Sequence, residues 1–213
     1  MKITEIRTTP LLVPYKKPYY WAQGTIDGAY VILVEVLTDE GITGYGECVG
    51  TPTATGVQAF IAEAARFLVG HDPFSNARLM AGAYHALFQE RGTCSSPRFA
   101  GQIFAGMEMA LWDIMGKATG RPVHALLGGA VRDEICYFGF PQGETPDEIA
   151  AEARQFAADG HDIIYVKVGK DDATDLAIVR QVREAIGPDR RLRLDPNEHW
   201  NPLAASRMMA QIA

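Results

Sequence analysis

Cysteine is scarce in this chain. The three residues Cys48, Cys94 and Cys136 form an odd set with no metal-ligand spacing. They read as free thiols of a reducing cytoplasm, with one hidden disulfide as the alternative. Long hydrophobic runs are missing as well, and none approaches the roughly 18 residues of a membrane span. Met1-Lys2-Ile3-Thr4 opens a strand pattern instead of a signal peptide, so no membrane association is expected. An excess of positive charge is also absent. Twenty Lys and Arg residues face 26 Asp and Glu, for a net charge of -6, and the basic residues are scattered, which excludes a nucleic-acid surface. What remains is an ordinary globular composition, 47% hydrophobic and 22% charged over 213 residues, enough for one large domain or two modest ones.

Two kinds of organisation follow one another along the chain. Residues 3 to 49 read as antiparallel β structure. Ile3, Ile6, Leu11, Leu12 and Val13 make a first strand ending at Pro14, and Tyr15 to Gly24 reads as a loop dense in aromatics. Tyr30 to Leu37 then turns through Asp39-Glu40-Gly41 into Ile42 to Cys48, a hairpin pattern. Helices take over after Gly56. The longest runs from about Phe99 to Ala118, and Gly101, Ala105, Gly106, Ala110 and Gly116 are expected to admit close neighbours. Small residues lower helix propensity, so packing must hold this helix. After Val131 the pattern alternates. Strands are expected near 134–139, 162–168 and 191–195, and helices near 145–159, 172–186 and 202–212. Thr145-Pro146-Asp147-Glu148 has the form of a capping box. The expected organisation is an α+β domain over residues 1–130, followed over 131–213 by about three βα units of a parallel β/α barrel.

Alternation assigns the faces of those strands. Ile164, Val166, Val168, Leu192 and Leu194 should lie under the helices. Tyr165, Lys167, Gly169, Arg191, Arg193 and Asp195 should point the other way, into the barrel. A lysine or aspartate inside a barrel is costly unless paired or bound. Lys167 and Asp195 fall at the C-terminal ends of their strands, where barrel enzymes hold their active sites. A base and a metal-ligating carboxylate there suit removal of a proton α to a carboxylate. A lysine near its usual pKa of about 10.4 cannot do this unaided, whereas a bridging cation stabilises the intermediate and lowers the lysine pKa. An inert Lys167–Asp195 pair, or Asp195-Pro196-Asn197 as a plain turn, remains the structural alternative. His71, His85, His124 and His161 read as structural, His199 follows the second strand closely enough to approach the pocket rim, and Glu198 reads as solvated, with a supporting role beside the metal segment as its alternative.

Several stretches together carry a resemblance. Gly106-Met107-Glu108-Met109-Ala110-Leu111-Trp112-Asp113-Ile114-Met115-Gly116-Lys117, Gly120-Arg121-Pro122-Val123 and Leu126-Leu127-Gly128-Gly129 resemble the cap-to-barrel junction of the enolase superfamily, in its mandelate racemase/muconate lactonizing enzyme branch. Gly41 to Glu47 resembles that branch's cap hairpin, and Asp195-Pro196-Asn197 with Trp200 its first metal-ligand segment. The resemblance implies an α+β capping domain over a modified β/α barrel and a magnesium ion, with manganese as a possible substitute. It also implies a small carboxylate substrate, such as a proline-like amino acid or an acid sugar, and a homo-oligomeric assembly. It implies an enediolate intermediate leading to racemisation, epimerisation or dehydration. By position, Lys167 matches the second lysine of the branch's Lys-x-Lys motif, the general base. Asp195 matches the first metal ligand, and Asn197 is expected to face the same pocket. Tyr165 stands where the first lysine is usual, a departure at a catalytic position that acid-sugar dehydratases of the superfamily tolerate.

The family's cap loops close over substrate, which makes Tyr19, Tyr20 and Trp21 candidate substrate-binding residues, by ring stacking or a cation–π contact. Their alternative role is to anchor the loop. A complete barrel needs about 250 residues, so this chain is expected to be part of a longer working protein, and the 213-residue chain alone to be inactive. A non-catalytic relative, or a Schiff-base lyase using Lys167, are the rival readings.

Overall fold

The computed structural model describes residues 1–90 and 97–212. Cys94 lies outside the described residues; Cys48 is buried and Cys136 exposed, both as free thiols. The chain divides into two compact units. One comprises Met1–Val13 with Ala29–Val131, and the other Pro14–Gly28 with Arg132–Ala213.

The first unit is built on an antiparallel three-stranded sheet in the order β1 (Ile3–Trp21), β2 (Gly24–Thr38) and β3 (Thr43–Val49). The β2–β3 hairpin runs in register from Val31 opposite Val49 to Leu37 opposite Thr43. Ile32, Val34 and Val36 point from β2 into the core. They meet Val57, Ile61 and Ala64 of α1 (Ala54–Ala65) and Met107, Ala110, Leu111 and Ile114 of the long helix. The side chain of Thr53 caps α1 by accepting from the Gly56 amide. A 3-10 turn at Pro73–Ser75 leads into α2 (Asn76–Tyr84), which continues as a π turn through Gln89. The long helix is α3 (Pro97–Thr119), and a single turn, α4 (Val123–Leu126), follows.

Glycine decides how closely α3 lies on β3. A Cβ at Gly44 would stand 2.1 Å from the Ala110 carbonyl oxygen, and one at Gly46 1.9 Å from that of Gly106. No side chain fits either place, so the Gly-x-Gly spacing of β3 is what lets the helix backbone rest on the strand. The small residues of α3 divide accordingly. Gly106 faces Val34 and Cys48, and Gly116 faces Arg121, whereas a Cβ at Gly101 would meet nothing within 4 Å among the described residues. The expectation that Gly101 admits a close neighbour is therefore corrected.

In the second unit, β4 (Ile163–Lys167) and β5 (Arg191–Asp195) pair in parallel, with Tyr165 opposite Arg193 and Lys167 opposite Asp195. Helices α5 (Pro146–Ala158) and α6 (Asp172–Ile186) supply the core against them. Ile149, Ala153, Ile178, Val179 and Val182 pack on Ile164, Val166 and Val168. Thr145 and Glu148 form the reciprocal capping box, with Pro146 in the first turn. α7 (Pro202–Ile212) closes the described chain.

Two sequence expectations need correction. The first strand does not end at Pro14; it continues to Trp21 and turns at Ala22-Gln23 into β2. A proline is tolerated there because β1 is an edge strand, whose missing N–H costs no ladder bond on the open side. The strand expected over 134–139 contracts to one bridge. Gly139 donates to the Ile163 carbonyl at 2.9 Å and accepts from the Tyr165 amide at 2.8 Å. Ile135 and Tyr137 upstream are 74% and 75% exposed, so no burial holds that run extended.

Candidate active site

The site is contained in the second unit and grows out of strand alternation. Ile164, Val166 and Val168 turn under the helices with at most 2% exposure. This sends Tyr165 and Lys167 to the opposite face, beside Asp195 at the end of β5. The Lys167 ammonium donates to Asp195 Oδ2 at 2.5 Å and to the Tyr165 hydroxyl at 2.9 Å. That hydroxyl donates in turn to the same Asp195 oxygen. The other oxygen, Oδ1, accepts from the Asn197 amide at 2.9 Å. Both carboxylate oxygens are thus engaged. Asn197 and Glu198 adopt left-handed backbone conformations, with φ of 45° and 65°, and so fold the chain back over the carboxylate.

The charges follow from these contacts. Burial works against ionising Lys167, which is only 11% exposed. Its hydrogen bonds to Asp195, Tyr165 and Tyr19 outweigh burial and hold its pKa well above the ordinary lysine value. Burial also opposes the Asp195 charge, but bonds from Lys167, Tyr165 and the Asn197 amide pull its carboxyl down to about 2. Burial pushes the Tyr165 phenol up, and its bond to Asp195 adds to the shift. At neutral pH the group is an ammonium–carboxylate pair bridged by a neutral phenol.

A consequence for stability can be measured. An ordinary aspartate titrates near 3.8 and Asp195 near 2, so its stabilisation is present above about pH 4 and is lost as pH falls through 2. The contribution is on the order of 2 kcal/mol. Urea unfolding of the native protein and of Asp195→Asn should differ by that amount at pH 5 and converge near pH 2. A constant difference across this range would show that the pair's titration does not drive the effect.

Aromatic rings wall the pair. Phe138 and Phe140 stand 4.9 and 5.0 Å from the Tyr165 ring. Tyr19 packs 5.7 Å from Phe140 and 6.4 Å from Trp21. The Lys167 ammonium lies 5.1 Å from the Tyr165 centroid and 5.9 Å from that of Phe140. The hairpin carrying Tyr19 to Trp21 is held to the rest of its unit by polar ties. Lys17 pairs with Glu152, whose other oxygen accepts from the Gln142 amide at 2.5 Å. Gln142 Oε1 then accepts from the Tyr20 amide at 2.8 Å. Beside Lys167 opens a narrow crevice lined by Tyr20, Trp21, Gln142, Lys167 and Lys170 over an apolar floor.

The structure therefore brings Tyr165, Lys167 and Asp195 into one hydrogen-bonded group and places Tyr20 and Trp21 on the pocket beside it. Tyr19 stands behind them. Asn197 does not line that pocket; it acts on Asp195 through its backbone, and its side-chain oxygen is buried without a hydrogen-bond partner. His199 likewise stays off the pocket lining, its Cβ packed near Gly169.

Three polar residues at or near the site escaped the sequence reading. Gln142 and Lys170 follow the ends of predicted strands, and that position was the available signal. Asp175 lies on α6, is fully buried, and accepts from the amides of Gly169 and Lys170 at 2.8 and 3.3 Å, which fixes the turn after β4.

As a metal site the group is incomplete. Asp195 has the right chemistry for a hard cation, but no cluster of three His, Cys, Asp or Glu exists among the described residues. One carboxylate, already paired to a lysine, does not hold magnesium by itself.

Residues 3–128 match the model for the mandelate racemase/muconate lactonizing enzyme N-terminal domain, and residues 148–213 match the enolase C-terminal domain-like model. The chain belongs to the enolase superfamily, in its mandelate racemase/muconate lactonizing enzyme branch. It is 35% identical to D-galactarolactone cycloisomerase of Agrobacterium fabrum, over 94% of this chain and 53% of that protein. It is 30% identical to cis-3-hydroxy-L-proline dehydratase of Roseibium aggregatum, over 100% of this chain and 58% of that protein. The crystal structure of a dipeptide epimerase from Enterococcus faecalis, complexed with Mg and L-Leu-L-Tyr, superposes with a TM-score of 0.85 at 28% identity, covering 100% of this chain and 58% of that one. The chain spans about half the length of the curated relatives it matches. Its architecture is the capping domain with part of the superfamily's barrel. No helix among the described residues is long and apolar enough to cross a membrane.

Proposed function

We propose that this chain contributes the cap and the first catalytic strands of a magnesium-dependent enzyme that removes the proton α to a carboxylate. The resulting enediolate would lead to racemisation, epimerisation or dehydration of a small carboxylic acid. The observation that carries the proposal is the pairing of Lys167 with Asp195 at adjacent strand ends, with Lys167 also lining the pocket. The similar proteins are a cycloisomerase, a dehydratase and an epimerase, three outcomes that a single α-carbanion intermediate can reach.

Lys167 is the proton carrier. Its hydrogen bonds to Asp195 and Tyr165 favour the protonated amine, which suits delivery to the intermediate. Abstraction requires the neutral amine, available only when the Asp195 charge is engaged elsewhere. Tyr165 keeps the amine aligned by hydrogen bonding both members of the pair, the positional task a second lysine would otherwise share. Tyr20 and Trp21 enclose the substrate, and Tyr19 supports them. Magnesium, or manganese in its place, would offset the charge developing on the substrate carboxylate. Asp195 would supply one oxygen ligand, and the other ligands would come from outside the described residues. The fully satisfied ion pair also supports a second reading, a relative in which the two charges only neutralise each other.

Deuterium exchange separates these readings. The complete-barrel protein to which this chain contributes is incubated in heavy water with magnesium and a panel containing hydroxyproline, L-Ala-L-Glu and a galactarate-derived lactone. Incorporation at Cα of at least one member is expected. A folded protein that exchanges none of them supports the inert pair.

A further inference from the structure

The pocket beside Lys167 has an unusual balance of charge. Two lysines, Lys167 and Lys170, face it, and its lining contains no aspartate or glutamate. The charge of Lys167 is matched by Asp195, which leaves Lys170 as the cation a ligand would meet. Acidic neighbours on the same turn are directed elsewhere. Asp171 accepts from the Thr174 amide at 2.9 Å and hydroxyl at 2.7 Å, and Asp175 from the Gly169 and Lys170 amides.

The ammonium of Lys170 is also placed. It stands 5.7 Å from the centroid of the Tyr20 ring, and the Tyr20 backbone is fixed by Gln142. A ring in that position steers a flexible, exposed lysine toward the pocket. The opposite wall is apolar, from Ile149, Val168 and Ile178. An anionic end group of a ligand reaching this crevice would meet Lys170 beside an apolar wall. A quaternary ammonium would instead place its positive charge against Lys170.

We infer that the substrate carries a second anionic group and that Lys170, standing over Tyr20, is the specificity-determining residue that receives it. This rests on the α-proton reading above and narrows its substrate class to acids with a distal carboxylate or an equivalent anion.

Calorimetric titration of the purified protein at low ionic strength provides the test, using succinate, butyrate and glycine betaine. Succinate should bind roughly fivefold more tightly than butyrate, the size expected for a partly exposed charge pair, and betaine should bind most weakly. Lys170→Gln should bring succinate to the butyrate level, whereas Lys170→Arg should keep the preference. Equal binding of succinate and butyrate, no detectable succinate binding at its solubility limit, or a preference that survives Lys170→Gln would each overturn the assignment. These titrations require no turnover. Failure of the α-proton reading would appear separately, as absent Cα exchange with the binding order intact.

Discussion

Replacing Lys167 by alanine is expected to lower Cα deuterium exchange by 10² to 10⁴-fold, on the order of what a positioned acid–base group contributes. The measurement is exchange into whichever panel member the native protein labels, followed by mass spectrometry or proton NMR under saturating substrate. Lys167 is only 11% exposed at the end of β4 and stands against the Tyr165 and Phe140 rings, so far-ultraviolet circular dichroism of the variant is recorded beside the exchange to confirm that it folds. Tyr165→Phe makes the sharper comparison. It keeps the ring against Phe138 and Phe140 and removes only the hydroxyl that bridges Lys167 to Asp195. A smaller loss is expected there, with an altered pH–rate profile, because that hydroxyl aligns the amine without carrying the transferred proton. Unchanged exchange in Lys167→Ala would remove Lys167 from the mechanism and leave the pair a structural one.

The second large effect is on stability and belongs to the first unit. Gly46→Ala should destabilise the protein by about 3 kcal/mol, the upper part of the usual range for overpacking. The added methyl would stand 1.9 Å from the Gly106 carbonyl oxygen, and a backbone atom of a buried helix cannot swing away as a side-chain tip can. Gly101→Ala is the matched control. Gly101 lies on α3 with nothing among the described residues within 4 Å of a new Cβ, so alanine should stabilise by about 0.5–1 kcal/mol through helix propensity and a less flexible unfolded chain. Urea denaturation of the two variants under one condition decides the matter. If both shift the midpoint in the same direction, close approach of α3 to β3 does not govern the stability of that unit.

Several features were legible because their signals are local. The alternation through Ile164 to Val168 and Leu192 to Asp195 gave the faces of β4 and β5, since a strand's side chains can only alternate. The same constraint brought Lys167 and Asp195 to one side, where the structure joins them. Thr145 to Glu148 announced the start of α5 because a capping box closes within four residues. The Gly44–Gly46 hairpin and the Gly106 to Lys117 stretch carried the family resemblance that the domain matches support.

What the sequence obscured depended on partners distant along the chain. Pro14 read as a strand end, because nothing local shows that β1 is an edge on which a proline is harmless. Residues 134–139 read as a strand because their composition permits one, although only Gly139 found a partner. Asp175 carried no local signal, and only the fold shows it buried where it accepts from the amides of the turn after β4.

The sequence by itself determined the order and period of the elements, the faces of the strands and the chemical types at the strand ends, because each depends on residues within a turn or two of one another. The tertiary structure alone decided that Tyr165 bridges Lys167 and Asp195, that the Tyr19 to Trp21 hairpin is tied through Gln142 and Glu152, and that Lys170 stands over Tyr20 at the pocket. Those contacts join residues from 2 to 150 positions apart, and local periodicity carries no information about which distant side chains a folded backbone will bring into contact.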